Sequence, residues 1–380
     1  MGRTAEGGGH GGHGGSRGGG GSVWSPGLVL MVGAAAAVLV LAGMKAASSF
    51  VAPAFLAMIL TIAVSPLRNW LQRIGAPFWV CVAVPLVTVI VVLLALGAAL
   101  AISAAQLASL LPGYSHQFNE LVTDVTQQLA RHGIDQDKLQ SALSKLDPGQ
   151  VFSFVQAFFN GLLSASSALI LIVLMLVGMC MDAPGLVRQM EKLLPSHPDV
   201  VGALRGFARD TCRYLVVSTV FGLIVAVLDV GVLYWFEVPV PLLWGLLAFL
   251  TNYIPNVGFV IGLAPPAVLG LLDGGVVRMI WIIAAYCVIN FVLQSLIQPK
   301  FLGNAVGLSV TLITLSLILW AWVLGPLGAI LAVPLSTLVR ALLLDADPSK
   351  RWLTGVLSST IDKPETKAPA AETAGGSPTE

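Results

Sequence analysis

The sequence has few charged residues for its length. Only 10% of its 380 residues are charged, whereas a typical globular domain carries about 25%. The 20 Lys and Arg residues nearly balance the 19 Asp and Glu residues, which leaves a net charge of +1. Because nucleic-acid binding relies on an excess of basic residues, we expect no nucleic-acid partner.

Residues that bind metals are also scarce. The four cysteines form no CxxC pair, and none of the five histidines lies in an apolar segment. We therefore expect no metal and no cofactor. Intramembrane proteolysis is disfavoured too, since it needs histidine ligands on one helix or two neighbouring carboxylates. We predict that the protein is not an enzyme.

Long apolar segments are what the sequence has instead, and 56% of its residues are hydrophobic. A helix rises ~1.5 Å per residue, so about 20 apolar residues cross a bilayer core of roughly 30 Å. We predict an all-α, polytopic helical membrane protein with about eight transmembrane segments. They are 27–44, 49–64, 77–105, 158–181, 215–236, 240–271, 276–297 and 308–343.

Polar stretches divide the chain. Residues 1–22 are Gly-rich and residues 345–380 are rich in Pro, Ala, Thr and Glu, so both are predicted to be disordered tails around a transmembrane domain at 23–344. Within that domain, apolar residues at helical spacing predict extracytoplasmic amphipathic helices over 106–150. Residues 182–214 are predicted to form a cytoplasmic loop and an interfacial helix. With eight alternating segments, fifteen of the 20 Lys and Arg residues fall on the side of the termini, which predicts that both termini are cytoplasmic.

Two segments, 240–271 and 308–343, are interrupted by helix-breaking residues. The breaks are Pro255, Gly258, Pro265 and Pro266 in the first, and Gly325, Pro326, Gly328 and Pro334 in the second. Backbone groups freed at membrane depth are tolerated only where they are buried in protein or line a wet cavity. Paired interrupted segments in a membrane protein point to a binding site. The sequence leaves open whether each segment crosses fully or enters and returns as a hairpin.

Amide side chains surround the first break. Asn252, Tyr253 and Asn256 lie within it, and Asn290, Gln294 and Gln298 follow at i, i+4 and i+8, on one helix face. We predict that these six side chains line the pathway of a small polar solute. The alternative is that they hydrogen-bond between helices without touching a solute.

Asp229 is the only carboxylate well inside an apolar segment. An ionisable residue there is a functional hypothesis by default, so coupling to a proton or to sodium is one interpretation. The other is a structural aspartate that is hydrogen-bonded or partly wet.

Three C-terminal motifs carry a family resemblance. They are "IPNVG" (254–258), "QPKFLG" (298–303) and "GPLGAILAVPL" (325–335). In this order they resemble the autoinducer-2 exporter family, and the likeness extends over roughly residues 25–345. The resemblance implies a bacterial inner-membrane transporter that exports autoinducer-2 or, as in other members, exchanges sodium for protons. Many relatives have Pro where this chain has Val310, and its absence favours the exporter branch.

The resemblance and the residues together define three hypotheses. The first is a secondary carrier that exports an autoinducer-2-like signal or a related small polar metabolite across the plasma membrane. The alternatives are a sodium/proton antiporter and a membrane scaffold that transports nothing. The expected partners are the lipid bilayer, a small polar solute and a proton or sodium ion. GxxxG spacing at Gly258/Gly262 and Gly303/Gly307 would also permit a homo-oligomer.

Overall fold

The computed structural model describes residues 26–131, 148–255, 257–302 and 309–346. Over these residues the chain forms helices joined by short turns, without a strand. The predicted all-α class is confirmed. Asn256, the Gly303/Gly307 pair, the N-terminal tail and all but two residues of the C-terminal tail lie outside the described residues.

The first helix forms a unit of its own. Helix α1 spans Pro26–Ala46, and its 21 residues are enough to cross a bilayer core. It agrees with the segment predicted at 27–44.

The second unit contains the other helices. They are α2 (Ser48–Ala63), α3 (Ser65–Arg73), α4 (Phe78–Arg131), α5 (Pro148–Leu193), α6 (Pro198–Trp235), α7 (Pro241–Thr251), α8 (Gly258–Asn290), α9 (Gln298–Leu302), α10 (Val310–Leu324), α11 (Pro326–Ile330) and α12 (Ala332–Arg340). Two π-helical turns follow α8 and α12, at Phe291–Ile297 and Ala341–Asp345.

Within the described residues, five helical stretches are long and apolar enough to cross a membrane. They are Ser48–Arg73, Phe78–Leu107, Leu169–Leu193, Pro198–Trp235 and Gly258–Leu302. Shorter apolar helices at Met31–Ala46, Pro241–Thr251 and Val310–Leu324 complete the set. The prediction of a polytopic helical membrane protein is confirmed.

Several predicted polar regions continue the membrane helices without a break. Residues 106–131 are the end of α4, and residues 182–193 are the end of α5. Residues 198–214, the last part of the predicted cytoplasmic loop and interfacial helix, are the beginning of α6, since nothing in the chain interrupts the helix at Tyr214. The irregular part of the predicted cytoplasmic loop is thereby limited to residues 194–197.

The core of the second unit lies between α4, α6, α7 and α8. Its buried members include Leu107, Leu233, Trp244, Ile282 and Tyr286. A second buried cluster joins α2, α4 and α5. These contacts hold α6 and α7 firmly against the first part of α8, which positions the first break.

Helix α7 and the first part of α8 form a helical hairpin. A Cβ atom on Gly262 would lie 3.4 Å from Cα of Ala248, and one on Gly258 would overlap the carbonyl oxygen of Thr251. Residues after the break therefore run back along α7. Its 11 residues span roughly 17 Å, about half of a bilayer core. The first interrupted segment therefore folds back on itself as a hairpin.

Helices α10, α11 and α12 form a second hairpin of the same kind. Gly325 turns the chain with a φ of 70°, which an L side chain rarely adopts. A Cβ atom on Gly328 would overlap the carbonyl oxygen of Trp320, and the Trp320 indole donates a 3.0 Å hydrogen bond to Ser336. Pro326 and Pro334 lie in the first turns of α11 and α12, where the missing amide hydrogen costs little. The two interrupted segments share this geometry.

Helix α8 is itself divided at Gly275, whose φ of 72° reverses the chain. The two limbs are 258–274 and 276–290. Pro265 and Pro266 lie inside the first limb and not at a break, so the break predicted at this pair is misplaced. Close packing of this limb against α7, at Gly258 and Gly262, stabilises the helix although the two prolines lack amide hydrogens.

Candidate functional site

The tip of the first hairpin, residues 252–255, rests on the middle of α6. The Asn252 amide donates a 2.8 Å hydrogen bond to the carbonyl oxygen of Ser218, and the Tyr214 hydroxyl donates one of 3.0 Å to the carbonyl oxygen of Tyr253. Ser218 lies near the midpoint of the 38-residue helix α6. In the apolar segment predicted at 215–236, Ser218 is the fourth residue and follows Arg213 by five positions, so the tip contacts α6 near the beginning of its apolar part.

Tyr253 adds a side-chain contact to the same face of α6. Its hydroxyl lies 2.7 Å from the Thr219 hydroxyl, which itself donates to the carbonyl oxygen of Leu215. Since a threonine hydroxyl has one hydrogen, Tyr253 is the donor in this pair. Pro255 has no amide hydrogen and lies within the tip, where the helix ends.

The π-helical turn after α8 brings a second polar group to the tip. The Gln294 amide donates a 3.0 Å hydrogen bond to Oδ1 of Asn252 and a second one to Oδ1 of Asn290. Asn290 donates in turn to the carbonyl oxygen of Tyr286, at 2.9 Å. Asn252, Asn290 and Gln294, which we call the amide cluster, thus link the hairpin tip to the span that follows it. Single π turns inside helices occur frequently at functional sites.

A small cavity lies beside the amide cluster. Its volume of about 10 Å³ leaves room for about one water molecule. The lining residues come from α6, from α7 and the tip, from both limbs of α8 and from the π turn. They are Val225, Asp229, Ala248, Thr251, Asn252, Gly258, Phe259, Gly262, Tyr286, Asn290 and Gln294.

Asp229 and Tyr286 face this cavity and are almost completely buried, each with 1% of its surface exposed. Neither carboxylate oxygen of Asp229 has a hydrogen-bond partner among the described residues, and neither does the Tyr286 hydroxyl. Thr251, on the opposite wall, donates to the carbonyl oxygen of Ala248. The cavity therefore holds a carboxylate, two hydroxyls and three amides within an apolar bundle.

The structure brings together four of the seven predicted solute and ion residues around the cavity, namely Asp229, Asn252, Asn290 and Gln294. Tyr253 anchors the tip on α6 instead. Gln298 lies one turn further on, in α9, and is not among the residues that line the cavity. The π turn changes the helical register between Gln294 and Gln298, so the single polar face expected from i, i+4 and i+8 spacing is not kept.

Two features of the site were not anticipated from the sequence. Tyr286 precedes Asn290 by four residues. The polar stripe predicted to begin at Asn290 therefore begins one helical turn earlier, at Tyr286. The anchors on α6 are the Ser218 carbonyl, the Thr219 hydroxyl and the Tyr214 hydroxyl, and no sequence pattern shows that these residues would meet the tip. Arg213 of α6 also donates two hydrogen bonds, of 3.0 and 2.8 Å, to the carbonyl oxygen of Phe301. This contact holds the end of α9 against the same helix.

The described helices define a class of protein. A bundle of apolar helices that contains two broken hairpins, with polar groups gathered at one of the breaks, is typical of helical membrane transporters. A family model for the AI-2E family transporters matches residues 34–346. The chain therefore belongs to the AI-2E family of transporters, and the resemblance found in the sequence is confirmed.

Individual relatives agree with this assignment. The chain is 28% identical to the "AI-2 transport protein TqsA" of Escherichia coli (strain K12) over 313 residues, which are 82% of this chain and 90% of that protein. It is 29% identical to the "Putative transport protein YhhT" of the same strain over 319 residues, 83% of this chain and 90% of the relative. The protein is thus a multi-pass membrane protein of a transporter family, and small solutes are what such a protein handles.

Proposed function

We propose that the protein is a secondary carrier for a small polar solute of the autoinducer-2 type, and that it exports this solute from the bacterial cytoplasm. The observation that carries the proposal is the amide cluster, which joins the tip of a broken hairpin to the next span. The name of the relative TqsA supports the choice of solute. Both termini would face the cytoplasm, as the distribution of basic residues predicts.

The amide cluster suits an uncharged polar solute. Amides offer both donors and acceptors, and no Lys, Arg or His lines the cavity within the described residues. Two solute hydroxyls could donate to Oδ1 of Asn252 and Oδ1 of Asn290 in place of Gln294, whose freed amide would donate to solute oxygens. The exchange would leave no amide of the cluster without a partner, which keeps its cost low in an apolar surrounding.

The cavity is too small for such a solute, so the described conformation is a closed one. Binding requires the hairpin tip to move away from α6. The polar contacts that must break are those of Asn252 with Ser218 and Gln294, and those of Tyr253 with Tyr214 and Thr219. In this mechanism the first hairpin gates the site while the helices behind it remain packed.

The test is counterflow of autoinducer-2 in proteoliposomes that contain the purified protein. We expect uptake driven by internal unlabelled solute, and we expect Asn252→Leu to lose most of it. Asn69→Leu is the matched control, because Asn69 is an exposed asparagine of α3, far along the chain from the site. Flux equal to that of empty liposomes would favour a scaffold, and flux unchanged in Asn252→Leu would rule out the amide cluster as the site.

A further inference from the structure

The cavity contains a carboxylate whose charge nothing in the described structure compensates. Asp229 is 1% exposed, and both of its oxygens are buried without a hydrogen bond. Tyr286 is equally buried, and its hydroxyl is also without a partner. Two unpartnered polar groups that line one small cavity are unusual, because buried polar groups are nearly always hydrogen-bonded.

The groups that face Asp229 do not include a cation. The second limb of α8 contributes Tyr286, and the π turn contributes the neutral amide of Gln294. Helix α7, the tip and the first limb of α8 contribute no titratable side chain to the cavity wall. Within the described residues, no ion pair involves Asp229. A bare carboxylate in such a place costs several kcal/mol, so the site requires one positive charge from outside the protein.

The cavity has the size and the ligands for such a charge. At about 10 Å³ it admits one water molecule or one small monovalent cation. Oxygen atoms are available from the Asp229 carboxylate, the Tyr286 hydroxyl and the Thr251 hydroxyl. Hard oxygen donors suit small hard cations.

We propose that Asp229 and Tyr286 form an exchangeable binding site for a single positive charge, a proton or a sodium ion, inside the solute cavity. As a proton, the charge converts the carboxylate into a neutral acid that bonds to Tyr286 through one water. As sodium, it binds to the carboxylate and the tyrosine hydroxyl without any covalent change. The proposal rests on the carrier function proposed above, and it assigns to that carrier its coupling ion.

The position of the Asp229 and Tyr286 site explains how binding of the ion would be coupled to binding of the solute. Tyr286 is one helical turn before Asn290, and Asn290 donates to the Tyr286 backbone carbonyl. Asn290 also accepts a hydrogen bond from Gln294 of the amide cluster. Removal of the tip by solute binding would therefore open the wall of the cavity that encloses the ion. The ion is then released when the tip moves.

The site is tested on the purified full-length protein in lipid, by infrared difference spectroscopy without any solute. Between acidic and alkaline buffer we expect a protonated-carboxyl band that Asp229→Asn removes and Asp182→Asn keeps, since Asp182 is exposed on α5. A second series adds sodium chloride or choline chloride at constant pH. Loss of the band with sodium but not with choline identifies sodium as a ligand, and indifference to sodium identifies the proton alone. Spectra of Asp229→Asn identical to wild type in both series would overturn the proposal.

Tyr286→Phe supplies an independent measurement if Asp229→Asn fails to fold. It removes only the hydroxyl. The proton concentration, or the sodium concentration, at the midpoint of the Asp229 response should therefore change about tenfold, as expected for one lost hydrogen bond to a charged group. An unchanged midpoint would overturn the two-residue site. If the carboxyl titrates but autoinducer-2 counterflow is absent, the ion site is supported and the proposed solute is wrong. If counterflow is present but the carboxyl does not titrate, the proposed solute is supported and the ion site is wrong.

Discussion

Replacing Gln294 by leucine should release the hairpin tip from the span behind it. The variant keeps a side chain of similar size but loses the two hydrogen bonds to Asn252 and Asn290. Only the bond to Asn252 reaches the tip, and such a bond stabilises the closed tip by about 0.6–1.5 kcal/mol. Because every ~1.4 kcal/mol is a factor of ten, the open tip should become roughly 3- to 10-fold more populated.

Amide hydrogen exchange measures this population without knowledge of the solute. The reporting amides are those of Ile254 and Gly258, which donate to the carbonyl oxygens of Thr251 and Ile254. We expect their exchange to accelerate by the same factor in Gln294→Leu, with helices α2 and α5 unchanged. Gln189→Leu, on the exposed surface of α5, is the matched control. Wild-type exchange at the tip would refute the idea that the amide cluster holds it.

Two further predictions concern residues that hold the helices around the site in place, Gly258 and Arg213. Gly258→Ala should lower the thermal unfolding temperature in detergent, since the new Cβ would overlap the Thr251 carbonyl oxygen and overpacking costs about 1–3 kcal/mol. Gly178→Ala is its control, because that glycine has open space around it and should tolerate the change; equal temperatures for the two variants would contradict the close approach. Arg213→Gln should accelerate amide exchange in α9 by a few-fold, as Arg213 is exposed and solvent screens its two bonds to Phe301. Exchange that stays at the wild-type rate would mean that the contact does not hold α9.

Much of the bundle was predictable from the sequence, because apolar length and helix-breaking residues act locally. The gap left between the segments 240–271 and 276–297 coincides with the turn at Gly275, and the glycines and prolines marked both hairpins. The break predicted at Pro265-Pro266 is the exception, because the helix continues through both prolines. A proline pair weakens a helix, but packing against α7 decides whether the helix ends there.

The candidate site was predictable only in part, because its geometry depends on packing between segments. Asn252, Asn290 and Gln294 could be selected as costly polar groups in apolar surroundings. Nothing in the sequence indicates the π turn at Phe291–Ile297, which directs Gln294 to the tip and separates it from Gln298. The sequence likewise does not indicate that Asp229 and Tyr286 lie at one cavity. They are 57 positions apart in the chain and meet only because α6 and α8 pack together.

Transport by the proposed mechanism requires the hairpin tip to leave α6, and a reversible cross-link between the two elements tests this requirement. A Cβ atom on Gly222 would lie 3.3 Å from Cβ of Asn252, close to the ~3.5–4.5 Å that a disulfide requires. The pair Gly222→Cys and Asn252→Cys is introduced into a protein whose four native cysteines are replaced by alanine, with Asn252→Cys alone as the control. Since Asn252→Cys itself removes an amide of the cluster and lowers the flux, the comparison is made within the double variant. The autoinducer-2 counterflow that this variant retains when reduced should stop when the disulfide forms and return on reduction, while the residual flux of the single variant is indifferent to oxidant. Equal flux through the cross-linked and the reduced protein would show that the tip need not leave α6.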